Sequence, residues 1–370
     1  MKVLIVSGIW PPDVGGPASH APEVASFLAE RGHHVEVVTT AWQAPQTDTY
    51  DVHWISRSLR PGVRHLRGVA LVRARAAHAD VVYTTGMFGR SFAGATLAHR
   101  PYVVKLTADP AFERARRRGV VGGDVDAFQS RSGLRVAALR FARDLELRRA
   151  AHVFCPSDYL RTLAVSWGVP ADRVSVLPNA APPVPELAPR DELRRSFGMN
   201  GPTLAFAGRL SVQKSLQLAL EAADAVEGVS LVIAGDGDER ARLEALAGPH
   251  VQFLGPQPRE RVIELFRAAD AAILSSSWEN FPHSVVESLA AGTPVIATRV
   301  GGVAEVVRDG ENGLLVPAAD ADALTDAVRR FFSDDALRAR LRAAAADSVR
   351  AYDRDVVFSR IEQALEAAVA

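Results

Sequence analysis

Residues 271–298 read AAILSSSWENFPHSVVESLAAGTPVIAT, and this stretch predicts a strand, a polar loop, a short helix and a second strand. The runs 271–274 and 295–298 are short and apolar, as are strands buried on both faces of a sheet. The helical stretch between them ends at Gly292, and Pro294 follows as a stop signal. Because parallel strands need such a crossover, the stretch indicates an α/β fold.

The same alternation of strands and helices runs through the whole chain in two halves. We predict strands over residues 2–7, 35–39, 81–84, 102–106, 152–155 and 174–177, and again over 203–207, 230–234, 251–254, 271–274, 295–298 and 313–316. The proline-rich segment 178–185 is interpreted as the linker, since prolines oppose both helix and central strand.

The 370 residues are enough for two domains, and the pattern predicts two facing, Rossmann-like, doubly wound domains with a cleft between them. We place the first domain at residues 1–180 and the second at 181–350. The remaining helical stretch, 351–370, is one that could cross back to the first domain.

Composition excludes several classes of protein. The 43 Lys and Arg balance the 43 Asp and Glu, so charge gives no reason to expect a nucleic-acid partner. Residues 1–185 carry 23 basic against 15 acidic side chains, a net +8, and the remainder carries −8. The single cysteine, Cys155, excludes an internal disulfide and fits a reducing compartment. With no apolar run near the roughly 18 residues of a membrane span, we expect a soluble, cytoplasmic protein.

Two loops carry groups that suit a phosphorylated ligand. Gly15 and Gly16 precede a helix, where backbone N–H groups can approach an anion or a sugar; an ordinary tight turn is the alternative. Gly208 and Arg209 follow the strand 203–207, and Lys214 lies five residues further on. Two cations at a strand–helix junction suit a diphosphate, whereas two solvated surface charges are the alternative.

The helix of the opening stretch contains Glu287 among apolar neighbours, where an unpaired carboxylate is costly. A ribose cis-diol could donate two hydrogen bonds to this carboxylate. Glu279, just before the helix, is expected to point toward the same cleft. Further candidates at the helix start, where backbone N–H groups are available, are Phe281, Pro282, His283 and Ser284.

Together these motifs resemble those of the GT-B glycosyltransferases of the large retaining family with an E-x7-E motif, family 4 or group 1. The resemblance is carried by ENFPHSVVE at 279–287, AGTPVIA at 291–297, GGVAEVV at 301–307, GRL at 208–210 with Lys214, GDG at 235–237, PN at 178–179, PP at 11–12 with GG at 15–16, and RGH at 31–33. These motifs span essentially the whole chain.

The resemblance implies transfer of a sugar from a nucleoside diphosphate sugar, UDP- or GDP-hexose, to an acceptor hydroxyl. The reaction would retain configuration, form an α-glycosidic bond and need no metal or other cofactor. The resemblance implies catalytic roles for Glu279, Arg209 and Lys214, with Glu279 facing the donor sugar or its phosphates and the two cations holding the diphosphate. It also implies that Glu287 binds the ribose and that Gly208, Gly235 and Asp236 lie on the nucleotide side. Gly15 and Gly16 would close over the sugar.

One segment departs from the family pattern. Many members carry a histidine after the fourth or fifth strand, but residues 104–110 read VKLTADP. Asp109 is the nearest polar group, and we predict that it contacts a sugar or acceptor hydroxyl with a catalytic role, helped by Lys105. Asp13 in the first loop is a third acceptor-side candidate. Alternatively, Asp109 caps the helix that begins at Pro110.

The remaining signals leave the partner open. Asp-x-Asp pairs are scattered without a supporting third ligand, so no metal site is predicted. The basic patch of Arg114 and 116–118 could attract an anionic acceptor or the inner membrane face, although a solvated helix face is the favoured interpretation. The acceptor could be a lipid, an oligosaccharide or a small molecule. Alternative functions are a non-catalytic nucleotide-sugar-binding partner of another transferase and a sugar-nucleotide 2-epimerase.

Overall fold

A computed structural model describes residues 1–13, 16–45, 50–121, 125–181 and 183–370, without the side chains of 16–19 and 126. The strands are β1 Lys2–Val6, β2 His34–Ala41, β3 Asp51–Ser56, β4 Val81–Thr84, β5 Tyr102–Lys105, β6 His152–Cys155, β7 Val174–Val176, β8 Thr203–Ala207, β9 Ser230–Ala234, β10 Val251–Gly255, β11 Ala271–Leu274, β12 Val295–Thr298 and β13 Gly313–Val316. The helices are α1 Gly16–Glu30, α2 Pro61–Ala76, α3 Phe88–Leu97, α4 Pro110–Arg117, α5 Val125–Ser130, α6 Leu134–Arg148, α7 Asp158–Ser166, α8 Arg190–Ser196, α9 Leu216–Asp224, α10 Arg240–Leu246, α11 Arg259–Ala268, α12 His283–Ala290, α13 Val303–Val306, α14 Ala321–Ser333, α15 Asp335–Ala345 and α16 Arg354–Val369.

The chain forms two compact units: Met1–Asn179 together with Asp355–Ala370, and Ala180–Arg354. The first contains a parallel sheet in the order β3-β2-β1-β4-β5-β6-β7, and the second a parallel sheet in the order β10-β9-β8-β11-β12-β13. Central strands such as β4, β8 and β11 are buried at every position, which explains their continuous apolar sequences. The prediction of two Rossmann-like α/β domains is confirmed.

Both sheets have a point where the strand order reverses direction. In the first unit this switch point lies between β1 and β4, and in the second between β8 and β11. Loops that leave the carboxyl ends of two such strands turn to opposite faces of the sheet and leave a crevice. The loops after β1 and β4, and those after β8 and β11, therefore form the places where a ligand is expected.

Strand β3 was not predicted from the sequence. It reads DVHWIS, and Ile55 is its one buried residue. Its position at the edge of the sheet explains the weak signal, because an edge strand covered on one face needs little apolar sequence.

The last helix packs within the first unit. The Phe358 ring contacts Phe27 edge-on, with ring centroids 5.6 Å apart. Glu362 accepts a hydrogen bond from Arg31 at 2.9 Å and lies 2.8 Å from His33 Nε2. These contacts tie α16 to the end of α1 and the turn that follows it. No helix in the described ranges has both the length and the apolar character needed to cross a bilayer.

Candidate functional site

The loops after β8 and β9 touch each other through glycines. A Cβ on Gly235 would lie 1.9 Å from the carbonyl oxygen of Gly208, and one on Gly237 would lie 2.1 Å from that of Leu210. The Leu210 N–H donates to the Asp236 carbonyl at 2.9 Å, which fixes the two loops in register. Only glycine permits such an approach, so the loop after β8, which lies at the switch point of the second sheet, meets the loop after β9 through main chain.

Lys214 and Glu279 are brought together at this switch point. Lys214 ends the one-turn 3-10 helix Val212–Lys214 that follows β8, and its Nζ lies 2.5 Å from Glu279 Oε1. Glu279 follows β11, is 6% exposed, and also accepts a hydrogen bond from Ser276 Oγ at 2.7 Å. Both residues were predicted as site residues, but the ion pair between them was not. An ammonium has three donors, so Lys214 keeps two for other acceptors.

A set of hydrogen bonds that the sequence did not predict holds this pair in place. Ser275 Oγ donates to the Lys214 carbonyl at 3.0 Å, and Gln213 Nε2 donates to the Trp278 carbonyl at 2.7 Å. Thr298 Oγ1 at the end of β12 donates to the Ser276 carbonyl at 2.6 Å. The run of three serines directly after a predicted strand was the available signal, because hydroxyl groups there commonly satisfy loop carbonyls.

Gly301 supports Glu279 from the loop after β12. A Cβ on Gly301 would lie 1.7 Å from the Glu279 carbonyl oxygen, and the Gly302 N–H donates to that oxygen at 3.2 Å. Gly301 has a φ of +46°, in the left-handed region. It was part of a quoted motif but was not predicted as a site residue. The absence of a side chain at Gly301 lets the two loops meet at the Glu279 carbonyl.

Glu287 has a protein partner. It lies on α12 with a side chain 16% exposed, and Arg259 Nε is 3.3 Å from its Oε1. Burial raises the pKa of Glu287 above its ordinary value, and the nearby Arg259 charge opposes that shift. The sequence predicted that this carboxylate needs a partner and named a ribose as one that could serve, but it did not predict Arg259. The remaining lone pairs of Glu287 still allow two further donors, and ribose binding stays a prediction.

The other predicted donor-side residues differ in exposure. Arg209 is 71% exposed on its side chain and pairs with Asp238 at 3.1 Å, and Asp236 accepts from the Gly237 N–H at 2.8 Å. Phe281 and Pro282 are buried, and the Phe281 ring packs edge-on against Tyr352 at 6.0 Å. The first two residues of α12, His283 and Ser284, are exposed and half-buried, respectively. Their contacts with a donor stay predictions.

In the first unit, Asp109 is the N-cap of α4, so the capping alternative is confirmed. Its Oδ1 accepts from the Ala111 N–H at 2.8 Å, and its Oδ2 accepts from Arg143 and Gln129, each at 2.9 Å. The residue is 1% exposed. A catalytic or acceptor-binding role for Asp109 stays a prediction, and these contacts argue against it because protein donors already occupy both oxygens.

Lys105 is completely buried at the end of β5. Its Nζ donates to the carbonyl oxygens of Leu177 and Pro178, and burial lowers its pKa to about 7. The neighbouring Cys155 thiol is also buried, and burial raises its pKa to about 12, as expected of an inert cysteine. Acceptor contact by Lys105 stays a prediction that its geometry does not favour.

The free energy of unfolding of the wild type is expected to rise with pH relative to that of Lys105→Met. The folded-state pKa of about 7 lies below the ordinary 10.5, so between these values the unfolded chain binds more protons. The slope approaches about 1.4 kcal/mol per pH unit. Urea unfolding of both proteins at pH 7, 8 and 9 measures it. A difference between the two proteins that stays constant with pH would contradict the prediction.

Two further places in the first unit contain candidate residues: the loop after β1 and a group of one histidine and two glutamates. Asp13 pairs with Arg57 at 2.8 Å. Gly15 lies outside the described residues, and Gly16 is the first residue of α1. His33, Glu362 and Glu366 have possible metal-ligand atoms within 4.8 Å of one another. That group lies at the amino end of β2, the sheet edge opposite to the switch-point loops, and Glu362 is already bound by Arg31.

Comparison with known proteins assigns the family. The chain matches the glycosyl transferase 4-like domain over residues 15–180 and the glycosyl transferases group 1 over residues 189–348. It is 30% identical to the D-inositol 3-phosphate glycosyltransferase of Xylanimonas cellulosilytica, over 93% of this chain and 89% of that protein. It is 39% identical to the phosphatidyl-myo-inositol mannosyltransferase of Mycobacterium leprae, over 45% of this chain and 46% of that protein.

Solved structures share the fold. The structure of Anabaena HepE in complex with UDP-glucose matches with a TM-score of 0.80 at 20% identity, covering 99% of this chain and 100% of that one. Sucrose-phosphate synthase from Thermosynechococcus elongatus matches with a TM-score of 0.82 at 21% identity, covering 99% and 98%. The chain has two α/β units of this kind, and the Xylanimonas relative is similar to it over 89% of that protein's length. The chain is therefore a GT-B glycosyltransferase and belongs to the group 1 glycosyl transferases.

Proposed function

We propose that this glycosyltransferase moves a hexose from a UDP- or GDP-linked donor to an acceptor hydroxyl with retention of configuration, so that an α-glycosidic bond forms without a metal or other cofactor. The observation that carries the proposal is the Lys214–Glu279 pair at the switch point of the second sheet. UDP is the first nucleotide to test, because HepE, which shares the fold, has been solved with UDP-glucose.

The cations at this switch point supply the charge that a metal supplies in other transferases. Glu279 holds one donor of the Lys214 ammonium, and the other two can reach diphosphate oxygens. Arg209 lies five residues before Lys214 and is exposed, and its guanidinium can add a two-pronged contact with the diphosphate. As the bond from the anomeric carbon to the diphosphate breaks, negative charge grows on the leaving oxygen, and these cations stabilise it.

The acceptor oxygen forms the new bond to the anomeric carbon on the face from which the diphosphate leaves. A phosphate oxygen of the leaving group takes the proton of the acceptor hydroxyl. The products are then the glycoside and the protonated nucleoside diphosphate, so atoms and charge balance without a protein base. Glu287 would accept hydrogen bonds from the ribose with the lone pairs that Arg259 leaves.

The test is donor binding and nucleotide release with UDP-, GDP-, ADP- and dTDP-sugars in the presence of a chelator. We expect one donor to bind, and Glu287→Gln to weaken its binding by about 10- to 100-fold, the effect of a hydrogen bond to a charged group. Burial raises the pKa of Glu287, so the carboxylate is protonated at a higher pH than an ordinary glutamate. As the pH is lowered, the donor affinity of the wild type should therefore begin to fall at that higher pH, whereas the affinity of Glu287→Gln should not change.

Glu260→Gln is the matched control, because Glu260 is an exposed glutamate on α11, next to Arg259. It should leave donor affinity unchanged. Equal affinity of the wild type and Glu287→Gln would contradict the ribose assignment. Loss of nucleotide release in chelator would contradict metal independence.

A further inference from the structure

A cavity of about 1220 Å³ opens at the carboxyl ends of β1, β4 and β5 in the first unit. Its floor includes Gly8 after β1 and Gly86 after β4, so it lies at the switch point of the first sheet. A Cβ on Gly86 would lie 2.7 Å from the Gly8 nitrogen, so the two loops meet through their main chains. This volume exceeds that of a typical small-ligand pocket, which is about 300–1000 Å³.

The walls of this cavity carry an excess of positive charge. Among the residues that the structure describes, seven arginines line it and two glutamates, Glu113 and Glu146. Glu146 pairs with Arg114 at 2.6 Å, and Glu113 pairs with Arg116, which is not a lining residue, at 3.4 Å. Of the other lining arginines, Arg57 is neutralised by Asp13.

Five lining arginines have no carboxylate partner within 4 Å in the described part of the chain: Arg64, Arg90, Arg117, Arg118 and Arg135. The first two are half-buried, and the other three are exposed. Arg64 and Arg90 come from α2 and the first turn of α3, whereas the other three come from the end of α4 and the start of α6. These five arginines therefore stand on two walls of one cavity.

The two half-buried arginines, Arg64 and Arg90, lie where α2 and α3 pack closely together. A Cβ on Gly68 would lie 2.5 Å from Arg90 Cδ, and one on Gly94 would lie 2.5 Å from Val72 Cγ1. These two glycines let α2 and α3 approach closely. Arg64 donates to the Arg57 carbonyl at 2.9 Å, which directs its guanidinium along the same wall.

The neighbouring titratable groups experience this positive field. Burial and the Arg64 charge lower the pKa of Arg90. Burial and the charges of Arg90 and Arg114 lower the pKa of His65, and the Glu146 charge only partly opposes them. Cations held this close repel one another, and a bound anion would relieve that repulsion.

We propose that the arginine-lined cavity of the first unit binds a phosphate group carried by the acceptor, so that the hydroxyl that receives the sugar belongs to a phosphorylated polyol or sugar. Guanidinium groups on two walls can each bind phosphate oxygens in a two-pronged manner. The cavity has room for the phosphate and an attached ring. This inference rests on the proposed function, and it names the chemical class of the second substrate.

The first test is binding of a phosphate probe to the full chain, measured by calorimetry with inorganic phosphate and with a hexose phosphate. We expect the hexose phosphate to bind and the neutral hexose not to bind at the same concentration. Arg64→Gln/Arg90→Gln should weaken binding about 100-fold, and higher salt should weaken it in the wild type. Arg67→Gln is the matched control, because Arg67 is an exposed arginine of α2 that does not line the cavity.

The second test compares acceptors in a transfer assay with the donor that the protein binds. Soluble polyol or hexose phosphates and vesicles that contain a phosphorylated polyol lipid present the same chemistry. Transfer to the soluble phosphates shows that the acceptor is a free phosphate ester. Transfer to the vesicles alone shows that the acceptor is a lipid headgroup. Either result supports the proposal if the double variant loses transfer about 100-fold.

Transfer to neutral and phosphorylated acceptors with equal kcat/KM, or a double variant as active as the wild type, would overturn the proposal. Donor binding by the double variant separates this failure from a failure of the proposed function. If the wild type binds the donor, and the double variant matches it in phosphate binding or in acceptor choice, the cavity assignment is wrong. If no donor binds to the wild type, the donor proposal is wrong, and the calorimetric test of the cavity still stands on its own.

Discussion

Replacing Lys214 with methionine is expected to lower kcat/KM for sugar transfer by about 100- to 1000-fold, the usual effect of removing one charge-stabilising donor from an active site. Lys214 is held 2.5 Å from Glu279 at the switch point of the second sheet, where the diphosphate is proposed to leave. The substitution removes the positive charge but keeps most of the apolar stem. Steady-state kinetics with a saturating acceptor measure the loss.

The same substitution also leaves a carboxylate without its cation. The Glu279 side chain is 8% exposed, and breaking a buried pair on one side costs about 3–5 kcal/mol of unfolding free energy. Lys214→Met/Glu279→Gln should recover most of that stability, because it removes the uncompensated charge. If the double variant also recovers transfer, Lys214 has only a structural role and the proposed charge stabilisation is wrong.

Gly301→Ala is expected to lower the unfolding free energy by about 3 kcal/mol or more and to weaken transfer strongly. The new Cβ would lie 1.7 Å from the Glu279 carbonyl oxygen, so one of the two loops must move. Because Glu279 fixes Lys214, that movement displaces both members of the pair. Urea unfolding and donor affinity, measured on the same preparation, report the two effects.

Gly310→Ala separates the clash from the cost of backbone conformation. Gly310 has a φ of +73°, also in the left-handed region, but no atom lies within 4 Å of a Cβ placed there. It should therefore cost only about 1–2 kcal/mol, the penalty of a left-handed L-residue. If Gly301→Ala behaves like Gly310→Ala, the loop contact does not position Glu279.

The fold could be predicted because its signals are local. Buried parallel strands such as β8 and β11 are continuous apolar runs, and the helices between them are bounded by glycine and proline, so neighbours in sequence carry the information. β3 escaped prediction for the same reason: an edge strand with one buried residue has no such run.

The site residues were predicted in part, and where the prediction was incomplete the reason is tertiary. Glu279 and Lys214 were named separately, but they are 65 residues apart, and only the adjacency of β8 and β11 makes them a pair. Likewise, Arg259 reaches Glu287 from a different helix. Asp109 and Lys105 were placed on the acceptor side because they end a strand. Both are buried, and their partners are Arg143, Gln129 and the carbonyls after β7, which no local pattern reveals.

The sequence by itself determined the two α/β domains, the loops that follow the strands, and the glycosyltransferase motifs within them. Those features depend on residue spacing and local backbone preference. The tertiary structure alone decided which charges are paired, which are buried, and which arginines around the cavity of the first unit have no carboxylate partner within the described ranges. Charge pairing and burial are set by strand order and helix packing, because these place side chains from distant segments within a few ångströms of each other.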